Sequence, residues 1–270
     1  MSLVVTEERR AELAANVRAV QARLVEAAND TSGVRTPDSA QPELIVVTKF
    51  FPASDAAALY DLGIRRVGEN RDQEASGKAA ELANYTGPED PLRWSFIGQL
   101  QTNKAKSVVQ YASEVQSVDR PQLAEALSKA YLTRLARWEA GEASAPAAHS
   151  SGGLRCLIQV GLDETVEATA GQAALGARGG ADPADLLSIA ELISSLPGLT
   201  LGGLMAVAPL GQDAGAAFER LYGYSQLLTE NYPEATEISA GMSHDLAEAV
   251  KWGATTVRIG SQIMGARHQA

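Results

Sequence analysis

Three sets of residues in this sequence have the types and spacing to act on one small molecule. The first is a single amine. Lys49 ends the apolar run Leu44-Ile45-Val46-Val47-Thr48. It reads either as an exposed lysine at a strand end, the usual place for that side chain, or as a nucleophile that forms an imine with a carbonyl. A lysine of ordinary pKa, about 10.4, has under roughly 0.1% free amine at pH 7. Partial burial or a nearby cation lowers that pKa, and Arg258, at another strand end, is a candidate for the cation. The second set is a pair of turns, Ser239-Ala240-Gly241-Met242-Ser243 and Arg258-Ile259-Gly260-Ser261. In each, a β-branched run stops at hydroxyl and glycine residues and a helical pattern begins. Glycine lets backbone approach a ligand closely. Ser243 can cap the helix that follows and leave that helix's free N–H groups facing outward. Two such turns side by side would hold a dianion such as phosphate. Taken singly, a Gly-Ser turn is ordinarily just a cap, and an arginine is ordinarily a salt-bridge partner. The third set, Asn70 and Met205, stands at or near two further strand ends.

These residues need a scaffold that brings strand ends together. Thr6 with Glu7 and Glu8 marks a helix start, and Leu13, Val17, Val20 and Leu24 follow at helical spacing. A loop over 29–41 leads to the first strand, 44–48, whose unbroken apolar character suits a parallel sheet covered on both faces. Strands are then expected at 64–67, 93–97, 114–118, 154–160, 199–207, 235–239 and 255–259. Helical patterns lie between them, and Asp119 with Gln122 resembles a capping box with Pro121 in the first turn. Eight alternations of strand and helix within 270 residues predict an α/β fold, a single (β/α)8 TIM-type barrel with an extra N-terminal helix. The domain spans 1–270, with 1–43 forming the helix and loop that lead into the barrel. In such a barrel Lys49, Asn70, Met205, Ser239 to Ser243 and Arg258 to Ser261 face one mouth. The stretch 141–153 is small and polar and reads as a mobile surface insertion. The connection over 162–181 is unusually long.

Composition narrows the function classes. Apolar residues make up 45% of the chain and charged residues 21%, as in ordinary globular proteins. A net charge of −10 argues against nucleic acid and anionic lipid as general partners. The one cysteine, Cys156, lies in an apolar run and fits a reduced compartment. Three scattered histidines, His149, His244 and His268, give no metal-ligand spacing. The N-terminus shows no secretory signal and no run is long enough to span a bilayer. A cytoplasmic, monomeric protein without membrane attachment is expected.

An aldehyde for Lys49 and a phosphate for the two turns together describe pyridoxal 5′-phosphate (PLP). Val47-Thr48-Lys49-Phe50-Phe51-Pro52, Gly68-Glu69-Asn70 with Gln73-Glu74, Trp94 to Lys104, Gly203-Leu204-Met205-Ala206 and the two turns resemble, in order, the pyridoxal phosphate homeostasis protein family. That resemblance implies a barrel related to the N-terminal domain of alanine racemase. It implies Lys49 as the site of the internal aldimine (a Schiff base). Ser243, Gly260 and Ser261 would hold the phosphate, with Ser239 and Met242 shaping the turn. Asn70 would lie near the ring, Met205 would stand at the pocket, and Arg258 would face the pyridine nitrogen. The chain departs from the family pattern at Ser95, at Arg71-Asp72 and at Ala240, and Arg178-Gly179-Gly180 stands where the family has Lys-x-Gly. Arginine cannot accept a proton at the ring nitrogen, whereas most PLP enzymes place a carboxylate there. Racemases with that arginine add a base from a second domain, and this sequence is read as one domain. The expectation is therefore a protein that stores PLP and delivers it, through transient contact with PLP-dependent apo-enzymes, without substrate turnover. Two alternatives stay open: a PLP-dependent, racemase-like enzyme, and an aldolase-type barrel that uses Lys49 on a sugar phosphate.

Overall fold

The computed structural model describes residues 3–87, 89–163 and 179–266. The chain opens with α1 (Glu7–Ala28) and then alternates: β1 (Glu43–Val47), α2 (Ala53–Asp61), β2 (Arg66–Glu69), α3 (Asp72–Leu82), β3 (Arg93–Phe96), α4 (Ala105–Val108), β4 (Ala112–Val118) and α5 (Pro121–Glu139). The second half continues with β5 (Leu154–Gln159), α6 (Leu186–Ser195), β6 (Leu199–Met205), α7 (Ala214–Asn231), β7 (Glu237–Ser239), α8 (Leu246–Lys251), β8 (Thr256–Ile259) and α9 (Ser261–Met264). The eight strands form a closed barrel in sequence order. Closure is made by β1 on β8, in parallel, with Glu43 opposite Thr256 and Val46 opposite Ile259. The expected fold is the observed one. The helices shield the outer face of the barrel, and their apolar stripes, such as Leu186, Ile189 and Ile193 on α6, are buried.

Part of the barrel's interior is polar. Arg66 on β2 donates to Glu114 on β4 at 2.8 Å and to Glu237 on β7 at 2.9 Å. These strands are not neighbours, so the three side chains meet in the lumen. Above them Gln116 donates to Glu114 at 2.9 Å and Ser239 donates to Gln116 at 2.7 Å. Barrels of this class are ordinarily filled by branched aliphatic side chains. Here a column of charge and amide climbs from the bottom of the barrel toward its mouth.

Helix α1 is capped by Thr6, whose hydroxyl accepts from the Arg9 amide at 3.2 Å. Its Leu13, Val17, Val20 and Leu24 are buried as expected, and it packs on α8 and α9. Asn16 donates to the Ile263 carbonyl at 3.0 Å, and Arg9 donates to that of Met264 at 3.0 Å and to Asp55 at 2.7 Å.

Two local expectations are corrected. The Asp119–Gln122 capping box does not form: Arg120 is the N-cap of α5 and makes no side-chain cap bond. The Asp119 carboxylate instead pairs with the adjacent Arg120 guanidinium, which also donates to the Leu100 carbonyl at 2.8 Å. The stretch 141–153 is anchored rather than loose. Ala148 is buried, the Ala147 amide donates to Val109 at 3.2 Å, and the His149 ring lies 4.4 Å from that of Trp138. Most of the long 162–181 connection, including Arg178, lies outside the described residues, as does His268. Cys156 is fully buried, and burial pushes its thiol up to about 12. No described helix is long and apolar enough to cross a membrane.

Candidate functional site at the mouth of the barrel

The ends of β1, β7 and β8 converge on a cleft of about 290 Å³. Lys49, Met242, Ser243, Arg258, Gly260 and Ser261 all line it. The amine at one end of the sequence and the two turns at the other therefore share one opening. Phe50, Phe51, Ile97 and His244 line it as well. The two phenylalanines directly follow Lys49 in sequence and could have been read as its apolar walls, whereas His244 looked like one of three scattered histidines.

The two turns meet through their hydroxyls, Ser243 Oγ and Ser261 Oγ standing 3.3 Å apart. Ser243 is not a helix cap, contrary to expectation. The N-cap of α8 is Asp245, whose carboxylate accepts from the Met242 amide at 2.6 Å. With the turn closed by Asp245, the Ser243 hydroxyl is left to face Ser261. The Ser243 carbonyl is gripped from outside by Gln262 at 3.1 Å and by Arg23 of α1 at 3.3 Å. Gly241 has φ of 91°, and a Cβ there would stand 2.7 Å from the Ala249 Cβ, so the turn requires glycine. At Gly260 a Cβ would press within 3.3 Å of Val47, two residues before Lys49. This close approach seats the second turn directly on the β1 end.

Arg258 is buried, with 4% of its surface exposed. Its Nη1 donates to Ser239 Oγ at 2.7 Å and its Nη2 to the Ala206 carbonyl at 2.8 Å. Both acceptors are neutral. Burial lowers its pKa to about 10, against the field of Asp245, Glu237 and Glu114, so it is cationic at neutral pH.

Lys49 is half-buried, its Nζ lying 5.8 Å from the Phe50 ring centroid. Phe50 has φ of 72°, the only described non-glycine residue in that region. The remaining expected residues lie around the cleft rather than in it. Ser239 and Met205 are buried behind its wall, paired in register on β7 and β6. Asn70 lines a neighbouring cleft of about 380 Å³ at the ends of β2 and β3. Its Oδ1 is buried and has no hydrogen-bond partner among the described residues. A half-buried amine, a hydroxyl pair beside Gly260, a buried guanidinium and, nearby, an amide oxygen able to accept a hydrogen bond form a set of groups that fits a phosphorylated aldehyde.

Fold and site together define a barrel of the alanine racemase N-terminal type, and the family model "Alanine racemase, N-terminal domain" matches residues 10–268. Within that class, the chain belongs to the pyridoxal phosphate homeostasis protein family. It is 38% identical over 268 residues to the pyridoxal phosphate homeostasis protein of Mycobacterium bovis, covering 96% of this chain and 95% of that one. It is 36% identical over 258 residues to the protein of the same name from Pseudomonas aeruginosa, covering 94% and 96%. Among solved structures, PipY of Synechococcus elongatus, determined with PLP bound, superposes with a TM-score of 0.69 at 30% identity, covering 94% of this chain and 100% of that one. Alanine racemase from Corynebacterium glutamicum superposes with a TM-score of 0.59 at 14% identity over 95% of this chain and 61% of that chain, a likeness of fold alone.

Proposed function

We propose that this protein binds PLP at the β1–β7–β8 mouth, stores it and delivers it to other proteins, and so serves vitamin B6 homeostasis without turning over a substrate. The observation that carries this reading is the meeting of Lys49 with the Ser243–Ser261 hydroxyl pair in one cleft. The PLP-bound relative and the homeostasis proteins of similar sequence support it. When bound, PLP supplies an aldehyde that condenses with amines and a ring that draws electrons from them. Lys49 offers the amine. Ser243, Ser261 and the backbone at Gly260 take the phosphate, and Met242 shapes that turn. Arg258 addresses the ring nitrogen and Ser239 orients Arg258, with Met205 behind them. Asn70 stands on the ring side of the site. At a pKa of about 10, Arg258 already holds its full complement of protons and accepts none. It donates a hydrogen bond where a carboxylate would support a protonated ring, which keeps the electron sink weak. That favours holding over turnover.

Delivery would proceed by transient contact between a monomer and PLP-dependent apo-enzymes in the cytoplasm. The racemase-like fold supports one competing reading, a PLP-dependent amino-acid racemase. A single preparation separates the two. Purified protein given PLP is expected to absorb in the visible, to lose that band with borohydride or as Lys49→Ala, and to leave L- and D-alanine unchanged. Sustained interconversion of the alanines would establish the enzyme instead.

A further inference from the structure

We infer that Glu74, with Lys78 and Glu69, is a positioning set that fixes the backbone on both sides of Lys49 and so aims its amine. The inference rests on the PLP reading of the mouth. The peptide groups flanking Lys49 are bound from one side by α3 and the end of β2. Lys78 donates to the Thr48 carbonyl at 2.8 Å, and the Thr48 hydroxyl donates to Glu69 Oε1 at 2.7 Å. On the far side of Lys49, the Phe50 amide donates to Glu74 Oε1 at 2.5 Å. The same Lys78 joins the two acids, reaching Glu69 Oε1 at 2.7 Å and Glu74 Oε1 at 2.6 Å. Its three N–H groups are thereby all used. Glu74 and Lys78 are one turn apart on α3, so one helix face delivers both contacts.

Two features make this more than ordinary fold support. The first is the conformation it holds. Phe50 stands at φ of 72°, which an aromatic residue adopts only where its surroundings impose it. The Glu74 bond falls on that residue's own amide. The second is its composition. Lys78 and Glu69 are buried, and Glu69 Oε2 is buried with no hydrogen-bond partner among the described residues. Apolar packing would generally secure a helix on a barrel at least as well as buried charges. Here the charges converge on the peptide groups next to the reactive lysine.

The test separates aiming from folding. Pyridoxine 5′-phosphate has the phosphate and ring but no aldehyde, so its affinity reports the cleft alone. At saturating PLP, Glu74→Ala is expected to slow formation of the visible band roughly 10- to 100-fold, the scale of a small misalignment. Its affinity for pyridoxine 5′-phosphate should stay within about twofold of the parent, a scale set by the loss of no direct ligand contact. Glu74→Gln keeps an acceptor for the Phe50 amide and should recover much of the rate; if the alanine variant does not fold, Glu74→Met, of similar size and without that acceptor, carries the test. A parental rate in the variant without that acceptor would overturn the inference. So would a fall in pyridoxine 5′-phosphate affinity equal to the fall in rate, which is the signature of a damaged fold. A parent protein that binds pyridoxine 5′-phosphate yet forms no visible band refutes the role of Lys49, and the positioning set falls with it.

Discussion

Arg258 and Ser239 are joined by a 2.7 Å hydrogen bond in which the guanidinium donates, and the serine hydroxyl donates in turn to Gln116 at 2.7 Å. Through Gln116 and Glu114 this chain connects the cation at the mouth to Arg66 near the bottom of the barrel. The charge that faces the site is thus held by a column of polar groups that is buried from Arg258 through Ser239 and Gln116 to Glu114 and reaches solvent only at Arg66.

Ser239→Ala tests that column. The substitution leaves a buried N–H of Arg258 and the Gln116 carbonyl oxygen without their partner. An unsatisfied buried group costs about 1–3 kcal/mol. Urea unfolding should show a loss of that size, and the visible band of the PLP-loaded protein should change shape as Arg258 loses its fixed orientation.

The hydroxyl pair at the two turns gives a second test. Ser243→Ala or Ser261→Ala removes one hydrogen bond to a dianion, about 1.5–3 kcal/mol or roughly 10- to 100-fold in affinity for PLP. Because the hydroxyls stand 3.3 Å apart, the double variant should lose less than the sum of the single ones. Unphosphorylated pyridoxal, measured by equilibrium titration, should bind all variants alike.

Acid sensitivity is set in part by Glu237. Burial alone would raise its pKa, but Arg66, Thr256 and Arg155 outweigh burial and hold it below the ordinary carboxylate value. A depressed folded pKa adds stability that is present above the unfolded value, about 4.3, and is lost as pH falls through the folded one. Glu237→Gln should therefore destabilise at pH 7, by about 3–5 kcal/mol if it behaves as a broken buried ion pair. The difference from the parent should shrink toward pH 3. Denaturant midpoints taken across that range check both the size and the direction.

Much of this was legible in the sequence. The β1 run 44–48 and the eight alternations are local patterns, and local patterns predict the barrel. Lys49 and the Ser243 and Ser261 turns could be placed at one mouth because a barrel sends all its strand ends the same way. The ion network at Arg66 was not legible, since its partners lie 48 and 171 residues away. Glu69 and Glu74 stand in the sequence only as parts of the family motif, Lys78 carries no signal of its own, and only the register of α3 against β1 turns them inward. Ser243 does not cap because α8 starts later than its pattern suggests, with Asp245 at the N-cap position and its carboxylate turned back to the Met242 amide. The parts given to Asn70 and Arg258 came from family resemblance, since neither residue type announces a cofactor by itself.

The grip of α1 on the other end of the chain has a consequence for how the protein is made. Asn16 and Arg9 bond to carbonyls 247 and 255 residues further on. A ribosome releases α1, with its apolar stripe exposed, long before it supplies the docking surface on α8 and α9. The growing polypeptide must shelter that stripe while β1 to β7 are made, and the turn at Ser243 lacks its grip from Arg23 until α1 has docked.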